Sequence, residues 1–258
     1  MRIHQLRCFG AFPGTGNVAM VIEDGPATPA ARQAFAAAQD CSACVFLGPG
    51  DIAEADYYYP HTRSPLCLHA TLAAAHVLLA RGAPPLLVTA MHGQRVRLLG
   101  TDAGCFAGVQ RQAVPSVLAD ADCVAWLLGT DAAALAWAPV VASVGSPKLL
   151  IALRERSALA TLAPPLARIV EWGKAHGING CYVVCQIGED TYEGRNFNHL
   201  DPAREDPATG VAAGALSAVL GRPLTVFQGA ALGTPCRIVT RIEGETVFVG
   251  GATELIIG

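Results

Sequence analysis

Apolar and polar positions alternate in short runs along most of the chain, the period-two signature of half-buried strands. In the first half these runs are RIHQLRCF (2–9), NVAMVIE (17–23), ADYYYP (55–60), LLVTAM (86–91) and QRVRLLG (94–100). The second half repeats the plan at 138–144, 148–153, 181–187 and 191–198, with a closing pair at 236–241 and 245–249. Three segments break the alternation. Residues 28–38 read as a helix with Pro29 near its start, while 70–81 and 208–220 are apolar on every face and stop at Gly82/Pro84 and at Gly221-Arg222-Pro223. A helix that is apolar all round must be wrapped by other elements.

The two apolar segments can be laid over each other. Ala70-Thr71-Leu72-Ala73-Ala74-Ala75 aligns with Ala208-Thr209-Gly210-Val211-Ala212-Ala213, an offset of 138 residues, and each follows a proline-containing turn. This repeat predicts an α+β fold of two pseudo-symmetric lobes, each a mainly antiparallel sheet curled around one central helix. Val114-Pro115-Ser116 is the natural crossing point, giving lobes of 1–114 and 115–249. The competing reading is a pair of unrelated helices in an Ala-rich chain.

Composition narrows the partners. Hydrophobic residues make up 52% and charged residues 15% of 258, yet no apolar run approaches the roughly 20 residues that cross a bilayer. The N-terminus lacks the apolar stretch of about 7 to 15 residues that marks a secretory signal, which points to the cytoplasm. Nine scattered cysteines are then expected to be free thiols. Net charge is −3 with dispersed basic residues, so neither a nucleic-acid track nor a membrane-binding patch is expected.

The first N–H groups of a helix have no internal partner and carry the positive end of the dipole, so a buried helix start is a ready anion site. Two such starts facing each other would clamp a carboxylate or stabilise an enolate-like intermediate. His69 and Asp206 stand at the two starts, PLCLHAT (65–71) and EDPATG (205–210). The plainer reading of Asp206 is an N-cap ahead of Pro207, and of His69 a structural imidazole.

With NVAMVI after Gly14-Thr15-Gly16, SACVFL, PLCLHATLAAAHVL, EDPATGVAAGAL and GGATELIIG in this order, the chain resembles the phenazine-biosynthesis PhzF-like family of the diaminopimelate epimerase superfamily. The resemblance implies two epimerase-like lobes, the last strand (250–258) completing the first. It also implies a cofactor-independent proton shift, commonly in a homodimer, on a small carboxylate-bearing metabolite. His69 and Asp206 match the family's histidine and aspartate. Ala43 stands where the family has its acid/base glutamate, Leu68 replaces a glycine, and Val211 replaces a serine. Cys67 matches the first helix-start cysteine of diaminopimelate epimerase, but Pro207 falls at the second, which disfavours a two-thiol racemase.

An alanine has no proton to exchange, so another group must carry it. Asp206, Cys67 and Cys44 are the alternatives: Leu68 and Val211 should make the pocket drier, which would raise Asp206 and make it a better acid, and a thiolate near a helix N-terminus is favoured. Substrate contacts are expected from Asn17, Leu68, Ala70, Thr209, Gly210, Val211, Arg195 and His61, with Arg195 either facing a substrate carboxylate or forming a structural ion pair. The Cys41-Ser42-Ala43-Cys44 pair lacks a second metal-binding couple, so no metal and no cofactor are expected. The leading function is an isomerase of proton-shift or epimerase type, or a related cyclisation, acting on such a carboxylate-bearing metabolite. The alternative is an altered family member that binds a small molecule or a protein without turnover.

Overall fold

The computed structural model describes residues 1–198 and 205–256; Ile257 and Gly258, the end of the GGATELIIG run, lie outside them. The elements in chain order are β1 (Arg2–Cys8), β2 (Asn17–Glu23), α1 (Pro29–Ala37), β3 (Ala43–Leu47), β4 (Ala53–Tyr59), β5 (Thr62–Ser64), α2 (Leu68–Ala80), β6 (Leu86–Thr89), β7 (Arg95–Thr101) and β8 (Gly104–Gln110). They continue with α3 (Ala121–Leu128), β9 (Val140–Ala142), β10 (Lys148–Leu153), α4 (Arg156–Thr161), α5 (Leu166–His176), β11 (Cys181–Gly188), β12 (Thr191–Phe197), β13 (Glu205–Asp206), α6 (Gly210–Leu220), β14 (Thr225–Gln228), β15 (Cys236–Glu243), β16 (Thr246–Gly251) and β17 (Thr253–Leu255). None of the described helices is long and apolar enough to cross a membrane.

The chain forms two compact units, Met1–Val109 with Phe248–Gly258, and Gln110–Val247. In the first, β1 pairs antiparallel with β2, β2 parallel with β3, β3 antiparallel with β4, β4 parallel with β6, and β6 antiparallel with β7. β8 extends the sheet from β7 and pairs with β16, while β17 pairs with β1, so consecutive strands β16 and β17 bring its two edges round. Gly104 allows this approach: its φ is +116°, and a Cβ there would lie 2.0 Å from the Gly251 carbonyl oxygen. The sheet wraps α2, whose residues 68–75 are all buried; Ala70, Ala73, Ala74 and Ala75 let the strands come close.

The second unit repeats this order of pairings. β9 pairs antiparallel with β10, β10 parallel with β11, β11 antiparallel with β12, β12 parallel with β14, and β14 antiparallel with β15. A short strand precedes the central helix in each unit, β5 on β4 and β13 on β12. α6 plays the part of α2, with Ala212, Ala213, Gly214 and Ala215 buried. An added layer of α3, α4 and α5 covers the other face, where Leu127, Leu128, Leu159, Ile169 and Trp172 pack on Leu149, Ile151 and Val183.

Three features differ from the sequence expectation. β3 shows no alternation because all five of its residues are buried. α4 and α5 were not expected, although α5 ends in the left-handed Gly177 that commonly follows a helix. β8 carries the first unit to Gln110, and residues 111–120 have no regular structure, so the 114/115 crossing lies inside this extended stretch.

Candidate functional site

In the first unit Cys67 is the N-cap of α2, with extended backbone and no side-chain capping bond. Its Sγ lies 3.4 Å from His69 Nδ1 and 3.7 Å from Nε2. Leu68, His69 and Ala70 form the buried first turn. The Tyr59 ring lies 6.4 Å from the His69 ring and stacks on the exposed His61 at 5.9 Å and 13°. Thr71 fixes the helix start: its hydroxyl donates to the Cys67 carbonyl at 2.8 Å and is hydrogen-bonded to the buried Tyr57 hydroxyl at 2.8 Å. Burial alone would push the Cys67 thiol up. The charge of His69, hydrogen bonds from His69 and Tyr59, and the Ala70 N–H outweigh it, so the thiol sits below its usual range. The arrangement suits a thiolate–imidazolium pair.

Ala43 opens β3, opposite Ala19 of β2 in parallel register, and is 1% exposed. Asn17 opens β2, buried, opposite Cys8. Cys44 Sγ lies 3.7 Å from Cys41 Sγ. The hydrogen bond with Cys41 and burial push the Cys44 thiol up, whereas Cys41 is lowered by that bond and by the charge of His69. Of the two cysteines proposed to replace the glutamate, Cys67 is therefore electrostatically suited to hold an anion and Cys44 is not.

In the second unit the helix start differs from expectation. The N-cap of α6 is Thr209, and Asp206 lies three residues earlier, on β13 opposite Asn196. Asp206 Oδ1 accepts from the Ala208 N–H at 3.3 Å and Oδ2 from the Thr209 hydroxyl at 2.6 Å. The carboxylate thus closes the Pro207-Ala208-Thr209 turn and does not cap the helix. Gln228 of β14 holds this turn: Nε2 donates to the Asp206 carbonyl at 2.6 Å and to Thr209 Oγ1 at 3.2 Å, while Oε1 accepts from Thr209 N at 3.3 Å. Gly210 and the half-buried Val211 follow in the first turn. The caps Cys67 and Thr209 are 142 residues apart, so the 138-residue alignment pairs Ala70 inside α2 with Ala208 ahead of α6. HAT and PAT therefore do not occupy equal helix positions.

Arg195 is held as a structural ion pair. Nε and Nη2 bind the two carboxylate oxygens of Glu205 at 2.9 and 2.7 Å, and Nη1 donates to the Leu159 and Leu162 carbonyls. These bonds occupy the fork that would have faced a substrate carboxylate.

Sequence reasoning missed Lys148. It opens β10 and is 1% exposed, with Nζ donating to Asn198 Oδ1 at 2.9 Å and to the Asn179 carbonyl. Asn198 Oδ1 also accepts from Asn196 Nδ2 at 2.8 Å. Burial lowers the Lys148 ammonium to about 8, against an opposing pull from the Asp206 charge. The available signal was positional: a lysine at the head of the apolar run Leu149-Leu150-Ile151-Ala152-Leu153, in a chain whose only other lysine is Lys174. Gln228 gave no sequence signal. Among the described residues no group of three His, Cys, Asp or Glu side chains is placed to hold a metal ion.

Residues 6–253 match the family described as phenazine biosynthesis-like protein. A Deinococcus radiodurans protein named an uncharacterized isomerase is 30% identical, the match covering 97% of this chain and 91% of that one. A Pseudomonas aeruginosa structure described as a predicted epimerase is 27% identical with a TM-score of 0.77, covering 99% and 97% of the two chains. A PhzF-family structure from Bacillus anthracis is 19% identical with a TM-score of 0.80, covering 100% and 98%, and speaks to the fold alone. With a family match over nearly its whole length, and with each of its units wrapping a sheet around a central helix as the PhzF resemblance implied, the chain belongs to the phenazine biosynthesis-like (PhzC–PhzF) family.

Proposed function

We propose that the protein is a cofactor-independent isomerase that moves a proton on a small carboxylate-bearing metabolite, in a proton-shift or epimerase-type reaction, with ring closure as a variant. Family membership and the isomerase name of the Deinococcus relative support the reaction class. The observation that carries the reading is the Cys67–His69 pair, 3.4 Å apart at the buried start of α2. In this reading the Cys67 thiolate accepts the proton as the substrate C–H bond breaks. His69 keeps the sulfur anionic, and the positive end of the α2 dipole stabilises the charge left on the substrate. Return of the proton to another carbon gives a shift; return to the other face gives an epimer. Asp206 is the retained family carboxylate and the second group under test.

Ala43 favours a second reading, a member that binds its ligand without turnover, because a buried methyl stands where the family has its glutamate. Incubation of the full chain in D2O with a panel of small amino and unsaturated carboxylates, read by proton NMR, separates the two. Carbon-bound deuterium that falls by roughly 100-fold or more in Cys67→Ser and His69→Gln supports the isomerase. Exchange that persists in both variants overturns the assigned pair. Binding of a panel member without exchange, unchanged in Ala43→Glu, overturns the isomerase in favour of the second reading.

A further inference from the structure

Cys41 and Cys44 flank Ala43 and take no part in the proton transfer proposed for Cys67 and His69. Cys41 is half-buried in the turn before β3, and Cys44 is fully buried on β3, within a small cluster of Ile22, Ala36, Phe46 and Tyr58. Their sulfurs are 3.7 Å apart and hydrogen-bonded. Among the described residues the other cysteines pair with groups other than thiols: Cys67 is bonded to His69, Cys105 accepts from the Thr253 hydroxyl, and Cys236 bonds a backbone carbonyl.

We propose that Cys41 and Cys44 form a peroxide-reactive dithiol, a modification site that closes to an intramolecular disulfide at the head of β3. The roles divide by exposure. Cys41 reaches solvent, so a peroxide can meet it; Cys44 is enclosed and positioned to resolve the product. Electrostatics assign the same roles, since the Cys44 S–H and the charge of His69 hold Cys41 below the usual thiol range while Cys44 is held above it. In the first step the Cys41 thiolate attacks a peroxide oxygen; the O–O bond breaks, sulfur gains OH and becomes a sulfenic acid, and hydroxide leaves to take a proton as water. In the second, the Cys44 sulfur attacks Cys41, the S–S bond forms and the S–O bond breaks. The departing hydroxide leaves as water with the Cys44 proton. The two sulfurs are oxidised together by two electrons and one peroxide is reduced to two waters.

The test uses reduced full-length protein, hydrogen peroxide at about equimolar amount, blocking of residual thiols with N-ethylmaleimide, and peptide mapping by mass spectrometry. The expected product is an unblocked peptide spanning Cys41 and Cys44, lighter by two hydrogens, formed roughly 10-fold faster than glutathione oxidises at the same pH. Cys44→Ser should leave Cys41 as a sulfenic acid trapped by dimedone, and Cys41→Ser should abolish both products. Wild-type mapping needs no variant, so the inference stands or falls even if a substitution at buried Cys44 fails to fold. Oxidation of other cysteines ahead of this pair, or reaction no faster than glutathione, overturns it. Loss of deuterium exchange in Cys67→Ser tests the isomerase reading alone, so the two fail independently.

Discussion

Replacing Lys148 by Met keeps the length of the side chain while removing its charge, and the consequence can be followed through pH. An ammonium that is 1% exposed and sits near 8, against an ordinary 10.5, binds protons less readily in the folded chain than in the unfolded one. Between those two values the unfolded state holds more protons, so this group makes stability rise with pH. Below the folded value the penalty is fully present. At one pH unit per 1.36 kcal/mol it amounts to about 3 kcal/mol, and it vanishes above the unfolded value.

Other groups act in the opposite sense. Burial holds the Cys181 and Cys236 thiols and the Tyr58 hydroxyl up near 12, so the folded state binds more protons there and stability falls as pH rises. The wild-type curve alone therefore mixes both signs. The informative quantity is wild type minus Lys148→Met, measured by urea unfolding under reducing conditions from about pH 7 to about pH 11. The hydrogen bonds lost by Asn198 and by the Asn179 carbonyl are a constant offset. The difference should grow in favour of wild type by about 3 kcal/mol across the window. A flat difference would refute the argument, because it would mean the ammonium is as comfortable inside as in water. Lysine-selective NMR on a chain with two lysines gives a second reading: Asp206→Asn removes a nearby anion and should drive the Lys148 midpoint below its wild-type value.

The thiolate absorbance of Cys67, taken as wild type minus Cys67→Ser, should titrate below the usual thiol range. In His69→Gln its midpoint should move up, since burial is then opposed by fewer partners; an unchanged midpoint would show that the imidazole does not hold the anion. Thr71→Val leaves the buried Tyr57 hydroxyl without its partner and should cost about 1 to 3 kcal/mol in chemical denaturation. Gly104→Ala forces a Cβ to within 2.0 Å of the Gly251 carbonyl at a φ of +116° and should cost on the order of 3 kcal/mol or more. A neutral Gly104→Ala in thermal unfolding would show that β8 and β16 need not meet so closely.

Elements with one face buried were legible because their pattern repeats every two residues; β1, β2, β7 and β12 fall within two residues of where the alternation put them. The central helices were legible for the opposite reason, being apolar all round. β3 carries no alternation, and its role emerges only when it is seen to lie parallel to β2. Lys148 was illegible for a related cause. What makes it notable is enclosure by Asn179 and Asn198, 31 and 50 residues away in the chain, brought to it by the parallel β10–β11 step and the β11–β12 hairpin. No local window contains that information. Arg195 shows the converse: its strand position was visible, but its Glu205 partner and the carbonyls of Leu159 and Leu162, supplied by an unexpected helix, decided its use.

The internal repeat proves more informative as topology than as sequence. Laid over one another by strand pairing, the units place Asn17 at the head of β2 and Lys148 at the head of β10, Ala43 at the head of β3 and Cys181 at the head of β11, and Cys67 and Thr209 as caps of the central helices. No single offset gives these pairs, because insertions between elements differ in the two halves; the 138-residue alignment was therefore four residues out at the helix caps. The frame dictates which stations are buried and near a helix start, but not what chemistry fills them. In the first unit they hold thiols and an imidazole, groups able to exchange protons near neutrality. In the second they hold the Cys181 thiol, which burial pushes up to about 12, with a carboxylate, amides and an ammonium locked by Thr209, Gln228 and Asn198. Ala43, where the PhzF resemblance expects a glutamate, thus falls in the unit best supplied with other proton carriers, which is why the acid/base role proposed above goes to Cys67 and His69 before any group of the second unit.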